Sequence, residues 1–128
     1  MASEADLDEL TGKEVTKAYA LLDPETNWIV HTVFQVEELY LVITIEPDLD
    51  EVIIDVLTAA TLATTINHDK LLQKPIANQK KSIAYIWRLT NQRGYQDGVQ
   101  IEFDDFHRLN VQVMAEGSRL LLTVFNRT

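Results

Sequence analysis

The side chains that could do chemistry in this chain are histidines and carboxylates, since the sequence has no cysteine. His31, His68 and His107 stand in separate segments, and no two have the spacing of a paired metal site on one helix. The densest mixture of ligand types is residues 104–107, Asp-Asp-Phe-His, where carboxylates and an imidazole could hold a divalent ion. An acidic turn between strands has the same composition. We therefore expect no metal and no other cofactor.

Catalytic motifs are also missing from the sequence. It has no Gly-x-Ser-x-Gly nucleophile elbow and, with four glycines in all, no Gly-x-Gly phosphate-binding loop. Carboxylates are numerous, but a carboxylate becomes catalytic when burial or a close like charge raises its pKa. Residues 37–38 and 48–51 fall in predicted turns, where water screens their charges. We therefore expect no catalytic residues, and an enzyme of unknown reaction ranks third among the functional hypotheses.

Charge is distributed unevenly along the chain. Residues 1–57 carry fourteen acidic side chains and two lysines, a balance of −12, whereas residues 58–128 have a balance of +3, for a total of −9. An acidic half repels nucleic acids and anionic membranes and attracts basic partners. The charge pattern thus predicts a protein partner, basic in character, with no nucleic acid and no membrane. The alternative is that the acidic side chains only keep strand faces solvated.

Apolar and polar residues alternate with period two along most of the chain, which predicts strands. Short helical signals occur near Ser3, and residues 58–66 fit a short helix or a continued strand equally well. Residues 67–81 are expected to form a polar connection. The predicted strands are 15–22, 28–36, 39–45, 52–56, 82–89, 99–103, 109–115 and 119–125.

This pattern predicts one all-β, or β-dominated α+β, domain over residues 1–128, with about eight antiparallel strands. Eight strands with one apolar face each need a second layer, so we expect two four-stranded meanders packed as a sandwich or closed as a barrel. Trp28 and Trp87 are the largest candidates for the core. The meanders share landmarks, which predicts an internal repeat of 8–57 and 69–125, although two meanders of equal length would share such landmarks anyway.

Two surfaces compete as candidate partner-binding sites. The loop around residues 91–95 combines Arg and Tyr, which are enriched at binding hot spots, with amides that give directional hydrogen bonds. The same residue types also satisfy the geometry of a long hairpin loop. The other candidate is the pair of acidic turns near residues 37 and 48. The candidate residues are Asn91, Gln92, Arg93 and Tyr95 in the loop, and Glu37, Glu38, Asp48 and Asp50 in the turns.

The loop also carries a family resemblance. Residues 91–98 have the pattern Asn-Gln-x-Gly-Tyr-x-Asp-Gly. Together with the flanking strands, from Trp87 to Phe103, they resemble an uncharacterised bacterial family of small domains of unknown function. The resemblance covers 17 of the 128 residues. It implies a bacterial origin and brings no activity, cofactor or catalytic residue.

The function that these features favour is a non-catalytic, small protein-binding or regulatory module. The alternative is an acidic inhibitor or immunity-type protein that blocks a basic partner such as a nuclease. Open sheet edges, which a second copy can cover, predict a homodimer. The acidic residues between Glu4 and Glu9 are unlike the basic start of a secretion signal, so we expect a cytoplasmic protein.

Overall fold

A computed structural model describes residues 2–76 and 80–127 of the chain, which form strands and a few short helical segments. The helices are α1 (Glu4–Leu10) and α2 (Ala59–Thr65), with a 3₁₀ turn at His68–Lys70. The strands are β1 (Glu14–Leu22), β2 (Ile29–Val36), β3 (Leu39–Glu46), β4 (Glu51–Thr58), β5 (Leu72–Pro75), β6 (Lys81–Thr90), β7 (Gln96–Phe103), β8 (Leu109–Glu116) and β9 (Arg119–Asn126). Strands contain 58% of the described residues and helices contain 14%. The predicted β-dominated fold class is therefore confirmed.

The sheet closes into a six-stranded antiparallel barrel. Strands β1–β4 form one meander and β6–β9 form a second. The two meanders meet where Val15 of β1 pairs with Lys81 of β6, and again where Ile29 of β2 pairs with Leu120 of β9. The ring therefore runs β1, β2, β9, β8, β7, β6, while β3, β4 and β5 extend it. Of the two predicted arrangements, the barrel is the correct one. Each half is a four-stranded meander, and a common origin of the halves stays a prediction.

The core lies inside the barrel and draws on both meanders. Phe34, Ile43 and Ile101 are completely buried in it, and Val56 and Leu122 pack against it. A second, smaller cluster lies on the outer face of β1–β3, where α2 and the following residues cover it; its buried members are Tyr19, Leu21, Val33, Val42, Leu62 and Ile66. Parts of β1–β3 are therefore buried on both faces, which explains the runs of consecutive buried residues at 18–22, 32–34 and 41–43.

The prediction that both tryptophans lie in the core is wrong. Trp28 is 41% exposed, because β2 begins at Ile29 and Asn27 has a positive φ of 64°, which ends the alternation before the tryptophan. Trp87 lies partly exposed on the outer side of β6, stacked on Tyr85, with ring centroids 5.5 Å apart. A register irregularity between Ile83 and Tyr85 shifts the alternation in this strand.

Two segments of the chain contain regular structure that the sequence alone does not define. Residues 58–66 contain helix α2, which begins where the Thr58 side chain accepts a hydrogen bond from the backbone N–H of Thr61. The expected polar connection at 67–81 contains β5, a strand in addition to the eight predicted ones. It pairs with β1 although all four of its residues are exposed. Residues 77–79 of that connection lie outside the described residues.

Core and surface aromatic residues should differ sharply in their contribution to stability. We expect Phe34→Ala to lower the free energy of unfolding by about 3–5 kcal/mol, because it opens a cavity in the barrel. Trp28→Ala should cost under about 1.5 kcal/mol, because its ring is already largely in water. Urea unfolding of both variants measures the difference. Similar losses would contradict the placement of Trp28 outside the core.

Candidate functional site

Four strand connections come together on one side of the barrel. We call this region the four-turn surface, and define it as residues 23–28 (β1 to β2), 47–50 (β3 to β4), 91–95 (β6 to β7) and 117–118 (β8 to β9). They converge because the start of β2 lies against the start of β9, and the start of β4 lies against the start of β7. Barrel closure therefore places turns from both halves side by side.

Direct contacts connect each turn to the next. The guanidinium carbon of Arg119, just after the 117–118 turn, lies 5.6 Å from the centre of the Trp28 ring. Within that turn, the Ser118 hydroxyl donates to the carbonyl oxygen of Pro47 at 3.5 Å. The residues that follow the 47–50 turn and the 91–95 loop also meet, because the Gln96 backbone N–H donates to Glu51 Oε2 at 2.9 Å. The four connections thus form one continuous surface.

The loop at 91–95 is organised by Asn91. Its side-chain Oδ1 accepts hydrogen bonds from the backbone N–H groups of Arg93 at 2.9 Å and Tyr95 at 3.3 Å. Its backbone also bonds to Gly94 and Tyr95, and Gly94 adopts a φ of 85°, which glycine tolerates without strain. Asn91 therefore holds the loop in shape through its side-chain oxygen. The side chains of Gln92, Arg93 and Tyr95 are left exposed.

Large apolar side chains are exposed on this surface. Trp28 is 41%, Leu49 59% and Tyr95 46% exposed, and Arg93 and Arg119 lie on the same turns or next to them. Sequence reasoning missed Trp28, Leu49 and Arg119. A signal for Leu49 was present, since it is an apolar residue between two acidic ones in a turn. Nothing in the local sequence indicated that Trp28 and Arg119 would meet, because that contact depends on barrel closure.

The structure brings together six of the eight predicted site residues. The loop residues Asn91, Gln92, Arg93 and Tyr95 share the four-turn surface with Asp48 and Asp50. Glu37 and Glu38 form the two-residue turn between β2 and β3, at the opposite end of β3 from Asp48. Eight residues of strand separate these ends, which is about 26 Å at 3.3 Å per residue. The acidic turns therefore do not share one face.

The acidic stretch at 104–107 is part of a turn. The Asp105 carboxylate forms an ion pair with Lys81 and accepts a hydrogen bond from the Leu109 backbone N–H at 2.8 Å. The Lys81 hydrogen bond is the main reason that the pKa of Asp105 is lowered. His107 is exposed and lies edge-on to the Phe106 ring. Across residues 2–76 and 80–127, no three His, Asp or Glu side chains form a group that could hold a metal ion.

The other two histidines lie in a partly buried polar cluster on the outer face of β1–β3. His31 Nδ1 lies 2.8 Å from the Thr44 hydroxyl, and His68 Nε2 lies 3.0 Å from the Tyr19 hydroxyl. Burial, with a smaller contribution from the charge of His68, lowers the pKa of His31 to about 4. Burial also raises the pKa of Tyr19. The ring of His31 is thus neutral at physiological pH and contributes to packing rather than to charge.

These features define a class of protein: a small antiparallel β-barrel domain whose turns present aromatic, aliphatic and arginine side chains on one side. The chain belongs to a family of unknown function, DUF6334, which matches residues 1–128. The resemblance inferred from residues 87–103 is thereby confirmed over the whole chain, while the bacterial origin stays a prediction. No curated protein and no solved structure is similar enough to count as a match. In the part of the chain that the structure describes, no helix is long and apolar enough to cross a membrane.

The lowered pKa of His31 should make stability depend on pH. The unfolded chain takes up a proton near pH 6.5 and the folded protein only near pH 4, so stability is full above pH 6.5 and falls as the pH drops towards 4. We expect wild type to lose about 1–3 kcal/mol more than His31→Gln over that range. Urea unfolding at several pH values measures the loss. Parallel curves for the two proteins between pH 6.5 and 4 would contradict the assignment.

Proposed function

We propose that this chain is a non-catalytic protein-binding module that uses the four-turn surface. The observation that carries the proposal is the exposure of Trp28, Leu49 and Tyr95 on adjoining turns, beside Arg93 and Arg119. A partner that covers these side chains gains apolar burial and avoids leaving them in water. Aromatic residues and arginine are the types that dominate measured binding energies in protein interfaces.

The scaffold supports this use of the turns. A closed barrel holds its loops on strands that cannot shift independently, so the binding groups need little ordering when a partner arrives. Asn91 fixes the 91–95 loop through its two side-chain hydrogen bonds, and Arg119 lies over the Trp28 ring. Both contacts reduce the conformational entropy that binding would cost. The mixed charges, with Asp48 and Asp50 on the same surface as Arg93, suit a partner with charges of both signs.

The inhibitor hypothesis draws less support from the geometry. Blocking a basic active site requires carboxylates gathered on one face, where their fields add. Glu37 and Glu38 lie at one end of β3, and Asp48 and Asp50 lie at the other. Each exposed carboxylate alone contributes little in water. The inhibitor role for a basic enzyme such as a nuclease is therefore our second hypothesis.

Affinity capture with matched variants tests the proposed module. The surface variant is Trp28→Ala with Tyr95→Ala, and the control variant is Tyr85→Ala with Phe106→Ala, which removes two aromatic rings exposed elsewhere. Each is used as bait in host lysate, and captured proteins are quantified by mass spectrometry. We expect at least one captured protein to fall about tenfold or more with the surface variant and to be unchanged with the control.

Two outcomes would count against this proposal. If both variants capture the same proteins in the same amounts as wild type, the four-turn surface is not the binding site. If instead capture depends on the change of Glu37, Glu38, Asp48 and Asp50 to Gln or Asn, the inhibitor hypothesis moves to first place. In that case the neutralised variant should lose association rate with little change in dissociation rate.

A further inference from the structure

Strand β9 has an open edge over most of its length. The 117–118 turn is a two-residue hairpin with positive φ at both positions, 56° and 64°, so the flanking pair Glu116 and Arg119 is hydrogen-bonded. Hydrogen bonding alternates along the strand, and Leu120, Leu122 and Val124 therefore direct their backbone groups to the other edge. Leu120 pairs there with Ile29. Among the described residues, no strand pairs with Leu122 or Val124 on that edge.

The corresponding edge in the first meander is covered. Strand β4 occupies the same place in its meander as β9 does in the second, and Val52 contacts the start of β7 as Leu120 contacts the start of β2. Two residues further along β4, the carbonyl oxygen of Ile54 accepts a hydrogen bond from the backbone N–H of Ala2 at 2.6 Å. Ile54 thus corresponds to Leu122, and the chain's own N-terminal segment covers the edge of β4 at this position.

That N-terminal segment shows what kind of chain fits such an edge. Ala2 is buried, bonds with its N–H to β4, and accepts with its carbonyl oxygen a 2.5 Å hydrogen bond from Arg88 of β6. The acidic helix α1 follows it and buries Leu7 and Leu10. The segment therefore combines backbone pairing, small or aliphatic anchors and carboxylates. In the second meander, the helix before the first long strand is α2, which packs on the outer cluster instead.

A groove runs beside the open edge of β9. Its volume is about 320 Å³, and its walls include Trp28, Pro75, Leu121 and Leu122. Lys74 and Arg119 are the charged residues that line it, so the groove is basic on a protein whose net charge is −9. The side chain of Val124, further along the open edge, is 44% exposed. An apolar, basic groove along unpaired backbone groups favours an extended acidic ligand over a neutral or basic one.

We propose that the groove binds an extended acidic peptide segment of a partner protein, which adds as a strand to β9. This inference names the partner's chemistry and rests on the protein-binding role proposed above, because the groove adjoins the four-turn surface at Trp28 and Arg119. The peptide backbone bonds to Leu122 and Val124, and its carboxylates face Lys74 and Arg119. Apolar side chains of the peptide fill the space beside Trp28 and Pro75. A second copy of this chain would instead bring another β9 edge, whose flanking Arg119 and Arg127 repel their equivalents.

Selection from a phage-displayed library of random octapeptides, with the full chain as the target, tests the proposal. We expect the enriched peptides to carry at least two Asp or Glu residues around an apolar residue. Their affinity should fall about tenfold or more with Lys74→Glu plus Arg119→Glu, because the reversal turns attraction into repulsion. It should be nearly unchanged with Lys80→Glu plus Arg108→Glu, which makes the same change in net charge at exposed positions elsewhere.

Amide hydrogen exchange of wild type with the best selected peptide tests strand addition without any variant. The amide protons of Leu122 and Val124 should exchange about tenfold or more slowly in the complex, whereas those of Leu121 and Thr123, already bonded to β8, should change little. No change at Leu122 and Val124 overturns the proposal. So does a failure to enrich acidic peptides. Protection of both amides in the free protein, with a dimer in sedimentation, would identify a second copy as the occupant and also overturn it.

The design separates this inference from the proposed module. Peptides that lose affinity with Trp28→Ala plus Tyr95→Ala but keep it with the Lys74 and Arg119 reversal would support the four-turn surface and refute the groove. A library without binders would refute the groove alone, because the capture experiment judges the four-turn surface with folded partners. Loss of binding in the reversal variant with an unchanged melting temperature excludes unfolding as the cause.

Discussion

Closure of the barrel depends on β1 and β2, because each of them pairs with two different strands along one of its edges. The edge of β1 that faces away from β2 pairs with β6 at Glu14 and Val15 and with β5 from Tyr19 onwards. The edge of β2 that faces away from β1 pairs with β9 at Ile29 and with β3 from His31 onwards. These short pairings hold the two meanders together, and the shared core fills the space between them. Without them, each meander would expose an apolar face that no other described element could cover.

The same constraint places the exposed side chains of the four-turn surface. Because the start of β2 must reach β9, the turn before it carries Trp28 to Arg119, and because β4 starts beside β7, the acidic turn meets the 91–95 loop. The four-turn surface is therefore a product of tertiary closure and not of any one hairpin. The last strands of the two meanders differ at their outer edges. The N-terminal segment covers the edge of β4 at Ile54, whereas among the described residues no strand pairs with the edge of β9 beyond Leu120.

Local pattern was sufficient to predict the eight long strands and the turns between them, since period-two alternation and turn residues act over a few neighbours. It also indicated Arg93 and Tyr95 as candidate partner-binding residues, and that role stays a prediction. It failed for Trp28, because a left-handed Asn27 interrupts the alternation, and for β5, whose exposed residues carry no pattern. The separation of Glu37 from Asp48 and the meeting of Trp28 with Arg119 depend on which strands pair across the barrel, and no local signal encodes that.

The pairs that close the ring lie far apart along the chain: Val15 and Lys81 are 66 residues apart, and Ile29 and Leu120 are 91 apart. Contacts of such separation must overcome the entropy of closing long loops before they return any energy, so folding is expected to be slow for a domain of this size. During synthesis the first meander leaves the ribosome well before β9 exists. The large apolar face of this meander stays in water until the second meander is synthesised. During that interval the nascent chain is most prone to aggregate and to bind chaperones.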